Sequence, residues 1–128
     1  MQPIAKDGHM ESAVFLAVTR RMACAACVAE GRGLADAVPH HWPPKGMGGG
    51  LIDDTRVIPL CTIDHRRAHG ETVVVDGARF LPLERVWQDH QVLVTLRRFF
   101  DRASAVERQQ LERDLQRRDE RRVWHVPV

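Results

Sequence analysis

All three cysteines and four of the seven histidines of this 128-residue chain lie between positions 24 and 69. Cys24 and Cys27 form a C-x2-C pair, Cys61 follows far along the chain, and Asp64 repeats the two-residue spacing with a carboxylate at its end. Three thiolates and one further donor make a closed, four-coordinate zinc site, of the kind that holds a fold together. The fourth donor is Asp64, as C-x2-D, or His65, as C-x3-H; Asp64 is favoured because His65 has another use. His65 and His69 stand four residues apart, so on a helix their rings leave from one face and chelate a divalent ion. His40 and His41 precede Pro43-Pro44 in a segment that reads as a strand. Neighbouring side chains on a regular strand point to opposite faces. Both histidines serve one site only if the strand twists or bulges, or if the metal sits beside its edge.

These residues need elements to position them. Residues 10–22 carry apolar side chains at a helical spacing, with Arg20 and Arg21 at the end where cations are favoured. The C-x2-C is expected in a turn, followed by a glycine-containing stretch. Residues 36–42 read as a short strand that the prolines end, 45–50 as a glycine-rich loop, and 56–60 as a second short strand. Residues 62–69 read as a short helix stopped by Gly70. Asp76-Gly77 is the favoured composition of a two-residue hairpin turn between two further strands. Residues 83–102 are helical, with Leu83, Val86, Trp87, Leu93, Leu96 and Phe100 expected to share the buried face. Ser104 with Glu107 forms a capping box for a last helix running to about position 122, which buries little beyond Val106, Leu111 and Leu115. Arg108–Glu112 and Asp114–Arg118 are at spacings that give weak surface pairs.

Length suggests one domain over residues 1–128, with a motif core at 24–70 and a helical extension at 83–122. No stretch approaches a membrane span, and the N-terminus does not read as a secretory signal. Three cysteines cannot pair completely as disulfides, so the C-x2-C points to metal and to a reducing, cytoplasmic setting. The net charge of +2 excludes a chain that binds nucleic acid by bulk charge alone. From position 83 onward ten arginines are interleaved with eight acids, so much of their field cancels; this region is expected mainly to complete the core, with its last helix either solvated or a homodimer face.

The combined pattern resembles the HNH, or His-Me finger, endonucleases. His40-His41 followed by His65 and His69 is similar to the nuclease colicin core. The cysteines resemble the zinc-stapled branch of the family, with "LCTIDHRRAH" in the place of LC-x2-C-H-x3-H, and "HHWPPKGMGGGLIDDTRVIPLC" is similar to prophage HNH proteins related to the Ref nuclease. The resemblance covers residues 24–69. It implies a small ββα-metal core with a structural zinc knuckle, which with the N-terminal helix, the β-hairpin and the C-terminal helices read above makes the expected fold class α+β. It implies His41 as the general base that activates water, and His40, His65 and His69 as ligands of a catalytic Mg2+, Mn2+, Ni2+ or Zn2+. The substrate implied is DNA, most simply double-stranded, cut to a 5′-phosphate and a 3′-hydroxyl, in a phage, mobile-element or restriction setting.

The chain departs from the family at two positions. Arg56 stands where an asparagine usually helps orient the catalytic histidine, and a guanidinium cannot accept a hydrogen bond from imidazole. Asp54 or a backbone carbonyl is then the orienting group, and Arg56 is free to bind phosphate. Asp64 replaces the fourth cysteine of the zinc knuckle. Arg66 and Arg67 are either a phosphate clamp or solvated helix residues, and Lys45 in the glycine loop is a further backbone contact. Trp42 stacks under the histidine pair or fills the core; His9, His90 and His125 have no ligand partners at useful spacing. Two other readings fit the motif: a zinc-binding DNA-recognition module that does not cut, for which His41 would have no use, and a toxin-like ribonuclease.

Overall fold

The computed structural model describes residues 10–44 and 53–124. In chain order the elements are α1 (Ala13–Arg20), α2 (Ala25–Ala29), β1 (Val38–His41), β2 (Val57–Leu60), α3 (Thr62–Ala68), β3 (Val73–Val75), β4 (Ala78–Phe80), α4 (Arg85–Arg102) and α5 (Ala105–Trp124). The architecture is mixed α+β, with two two-stranded antiparallel sheets, β1-β2 and β3-β4. Lys45 and the rest of the glycine-rich loop, with His9 and His125, lie outside the described residues. Among the described residues no helix is long and apolar enough to cross a membrane.

The β1-β2 register follows from its prolines. Pro39 pairs with Pro59, His40 with Ile58 and His41 with Val57. Trp42 N–H donates to the Arg56 carbonyl, which makes 42–56 a hydrogen-bonded pair. Bonded and non-bonded pairs alternate in an antiparallel ladder, so Pro39 and Pro59 face each other where neither needs an N–H. No bulge interrupts the four pairs, and His40 and His41 therefore leave opposite faces of β1.

β2 is buried along its whole length and separates two apolar clusters. Ile58 and Leu60 join Cys24, Cys27, Trp42 and Val92 on one side. Val57 joins Met10, Phe15, Val18, Met22, Phe99 and Leu111 on the other, where the Phe15 and Phe99 rings stack at 4.7 Å.

Several elements differ from the expectation. Met10 pairs with Asp53 in an isolated bridge, so α1 starts only after Ser12, whose hydroxyl caps Phe15 N–H. The C-x2-C lies at the start of a short helix, α2, and not in a turn. Only part of the expected apolar stripe packs inward: Leu83, Trp87 and Leu96 lie against the two clusters. Val86, Leu93 and Phe100 are 77%, 52% and 50% exposed, while Gln88, Val92, Thr95 and Phe99 face inward. Thr95 satisfies its hydroxyl on the Gln91 carbonyl, and Gln88 finds partners described below, so these polar groups are buried without loss. On α5, Leu111 is buried but Val106 is exposed, and Asp114 meets Arg117 rather than Arg118. The capping box forms as expected, Ser104 N–H to Glu107 at 2.9 Å and Glu107 N–H to Ser104 Oγ at 3.1 Å. So does the hairpin turn: Asp76 and Gly77 both have positive φ, 49° and 81°, which a tight hairpin with right-handed twist requires.

Candidate functional site

Two helix starts build the thiol cluster. Cys24 is the N-cap of α2 with Cys27 in its first turn, and Cys61 is the N-cap of α3 with Asp64 in its first turn. The Asp64 Oδ2 lies 3.1 Å from Cys24 Sγ, 3.4 Å from Cys27 Sγ and 3.2 Å from Cys61 Sγ. Cys27 and Cys61 Sγ are 3.9 Å apart, and the four donor atoms all lie within 4.8 Å of one another. Zinc–sulfur bonds of about 2.3 Å at tetrahedral angles put sulfurs about 3.8 Å apart. The geometry and the donor types fit a borderline-soft divalent metal such as zinc. His65, the other candidate for fourth donor, belongs to a different cluster. Burial pushes the Cys24 thiol up, and burial with the neighbouring Cys24 sulfur pushes Cys27 far up. A divalent cation is what would stabilise their thiolates there.

Asp64 is fully buried, and its other oxygen explains how. Oδ1 accepts from Arg32 Nη2 at 3.0 Å and from Arg67 Nη1 at 2.8 Å, and Arg32 Nη2 also lies 2.9 Å from Oδ2. Burial would raise this carboxyl, but the Arg67 and Arg32 guanidiniums outweigh it and hold it well below the usual carboxylate range. Three thiolates, one carboxylate and a divalent ion would sum to two excess negative charges, which the two guanidiniums oppose while also pairing with Glu30. Arg67 also donates to Glu30 at 3.0 and 2.9 Å and to the Leu81 carbonyl at 2.6 Å. Phe80 lies against both arginines, 5.0 Å from the Arg32 guanidinium carbon and 5.6 Å from that of Arg67. This corrects both expectations for Arg67. It is neither a phosphate clamp nor a solvated residue: it is buried, and every nitrogen of its guanidinium is engaged inside the protein.

The second cluster joins β1 to the other face of α3. The His40, His65 and His69 rings form a near-equilateral triangle, with centroids 4.9, 5.0 and 4.9 Å apart. His65 Nε2 and His69 Nε2 are 3.3 Å apart, and one ring nitrogen of each of the three histidines lies within 4.8 Å of the others. His40 is buried, His65 half-buried and His69 exposed, so the cluster opens to solvent on one side. Burial first, then the neighbouring His65 and His69, push His40 down to about 4; burial and His69 also lower His65. These two rings are therefore neutral at neutral pH, the form that binds metal. Trp42 sits 6.1 Å from the His40 ring, fills the core beside it, and donates its Nε1–H to Asp89 at 2.6 Å.

His41, on the opposite face of β1, is not part of the triangle. Its Nε2 lies 2.8 Å from Asp54 Oδ1. The other Asp54 oxygen accepts Ser12 N–H at 2.9 Å, and Ser12 Oγ donates to Asp114 on α5 at 2.7 Å. Of the two orienting groups the sequence left open, the structure brings Asp54 to His41. Arg56 is exposed and donates from Nε to the Trp42 carbonyl at 3.3 Å, at the strand end that carries His41. Arg66 is exposed and paired with Glu71 at 3.1 Å. Sequence reasoning missed Glu30, Arg32, Gln88, Ser12 and Asp114. Their bonds to Asp64, Arg67, His40 and one another span 32 to 102 positions, apart from the Glu30–Arg32 pair, and nothing in the local pattern marks those long-range partners. Scans of protein-family models, curated proteins and solved structures found no match to this chain.

Proposed function

We propose that this chain is a metal-dependent endonuclease of the HNH type that hydrolyses phosphodiester bonds in double-stranded DNA. The observation that carries the reading is one pair of neighbours on β1. His40 faces two helix histidines, and His41 faces a carboxylate on the other side of the strand. A ligand set and a separate, oriented imidazole are the two parts such a hydrolysis needs. Because the two histidines leave opposite faces of β1, this reading requires the phosphate to lie beside the strand edge away from β2, within reach of both.

In this reading Asp54 accepts Nε2–H from His41, which leaves the Nδ1 lone pair to take a proton from water as that water attacks phosphorus. The P–O3′ bond breaks, leaving a 5′-phosphate on one side and a 3′-oxygen that takes a proton from solvent to become the 3′-hydroxyl on the other. The Asp54 carboxylate faces the positive charge that appears on His41 when the proton arrives, the role an acidic partner plays for a catalytic histidine. A divalent ion held by His40, His65 and His69 would polarise the phosphate and stabilise the leaving oxygen. The exposed side of the His69 ring leaves that set accessible to substrate. Arg56 and Arg66, both at the surface, are the phosphate contacts in this reading. The Cys24–Cys27–Cys61–Asp64 set would hold a structural zinc, tying α2 to α3 and so supporting the placement of His65 and His69. A homodimer would bring one such site to each strand of a duplex.

The test is cleavage of supercoiled plasmid by the wild-type chain and His41→Ala, with Mg2+, Mn2+, Ni2+, Zn2+ or EDTA, and with an RNA substrate in parallel. His41→Ala should lose about 10²–10⁴-fold in rate while still binding DNA. Equal rates in the two proteins would refute the assignment of the base. Binding without cutting by the wild type under every metal would identify a recognition module, and cutting confined to RNA a ribonuclease.

A further inference from the structure

α4 buries a glutamine where its helical period expects an apolar side chain. Gln88 is 1% exposed, and its amide reaches three groups. Nε2 lies 3.3 Å from the Ala68 carbonyl and 3.4 Å from the Leu83 carbonyl, and Oε1 lies 3.2 Å from His40 Nε2. The two carbonyls accept only, so the side of the amide that faces them must be the NH2. The opposite orientation would set Oε1 against two carbonyl oxygens in a buried site. The backbone therefore decides that the amide oxygen faces His40. That oxygen also accepts only, so His40 must present Nε2–H to it. A neutral imidazole carries a single N–H, and the remaining lone pair is then on Nδ1.

We propose that Gln88 is a positioning residue that holds His40 as the Nε2–H tautomer and thereby makes Nδ1 the ligand atom toward His65 and His69. The proposal rests on the reading of these three histidines as a metal site. Gln88 also sets the distance between ligand-bearing elements. Its amide ties β1, through His40, to the last residue of α3, through Ala68, so β1 and α3 cannot drift apart without breaking a buried hydrogen bond. A second partner on a ligating histidine fixes ring and tautomer together, and losing it typically costs ten- to a hundredfold in metal affinity. It also separates the roles of the two adjacent histidines. Nε2 of His40 is taken by a neutral amide inside the protein, whereas His41 faces a carboxylate near the surface.

The experiment uses the full chain with 15N-labelled histidine. Long-range 1H–15N spectra of the EDTA-treated protein report which nitrogen of His40 is protonated, the signal being assigned by its loss in His40→Gln. Cobalt titrations, after the thiol site is filled with zinc, report affinity at the histidines. The wild type should show Nε2–H on His40. Gln88→Met, of similar volume and without an acceptor, should show mixed tautomers and cobalt binding weaker by about tenfold or more. Gln88→Glu, which keeps an acceptor toward His40 but sets its second oxygen against the Ala68 and Leu83 carbonyls, should retain the wild-type tautomer at a lower stability. If the wild type takes up no cobalt at the histidines, the metal-site reading falls and the proposal with it. If cobalt binds but His40 carries its proton on Nδ1, or Gln88→Met binds as tightly as wild type, the site stands and the proposal is overturned. Should Gln88→Met fail to fold, the wild-type tautomer and the Gln88→Glu spectrum decide.

Discussion

Replacing Arg67 with methionine separates two roles that the same residue could have played. The guanidinium lies 2.8 Å from Asp64, 3.0 and 2.9 Å from the Glu30 oxygens and 2.6 Å from the Leu81 carbonyl, and the side chain is almost wholly buried. Methionine keeps the apolar stem and removes all four bonds. Removing one partner of a buried ion pair typically costs about 3–5 kcal/mol, because the other charge stays buried. Asp64 would still hold Arg32 through two contacts, and Glu30 is partly exposed, so the lower end applies: about 3 kcal/mol. For a chain of this size that corresponds to a melting temperature lower by roughly 12 °C. Its neighbour provides the control. Arg66 and Glu71 are both about half exposed, and Arg66→Met should change stability by less than about 0.5 kcal/mol. Urea unfolding of the zinc-loaded proteins measures both variants, and fluorescence anisotropy with labelled duplex measures DNA binding. If Arg67→Met unfolds with wild-type stability yet binds DNA more weakly, the guanidinium is a substrate contact and its place in the metal site has been misread.

Elemental analysis should find one tightly held zinc per chain and a second, exchangeable ion, and Asp64→Ala should lower zinc retention against a chelator while His65→Ala should not; the reverse pattern would transfer the fourth ligand to His65. In metal-free protein, His40 takes up a proton near 6.5 when unfolded but only near 4 when folded. The unfolded chain therefore binds more protons in that window, and stability should fall as pH drops through it by up to about 1.4 kcal/mol per pH unit. Comparison of wild type with His40→Gln, which cannot titrate, isolates the slope; equal slopes would show that His40 is not the neutral, buried ring described above.

Local chemistry was legible in the residues themselves. Metal ligands must converge within a few ångströms, and short spacings on a helix achieve this with little help from the rest of the chain, C-x2-C and C-x2-D at the starts of α2 and α3 and H-x3-H toward the end of α3, so these could be read directly. The Ser104–Glu107 box and the Asp76-Gly77 turn were legible for the same reason, since their bonds close within three or four residues. What the sequence could not decide was direction over distance. The α4 stripe of Val86, Leu93 and Phe100 has a helical period, yet it faces solvent, because which face of a helix is buried depends on the surface it meets. That surface offered the His40 ring and the Ala68 carbonyl, and so it took Gln88. Arg67 could not be told from Arg66 by type or spacing; one residue along a helix turns a side chain by about 100°, enough to carry it from solvent into the Asp64–Glu30–Phe80 cage. Asp54 reached His41 only because β1 and β2 pair and Ser12 holds its second oxygen from another element. Ligand identity is thus carried by local spacing, whereas the protonation, orientation and charge balance of those ligands are set by groups that only the packed chain brings within hydrogen-bonding distance.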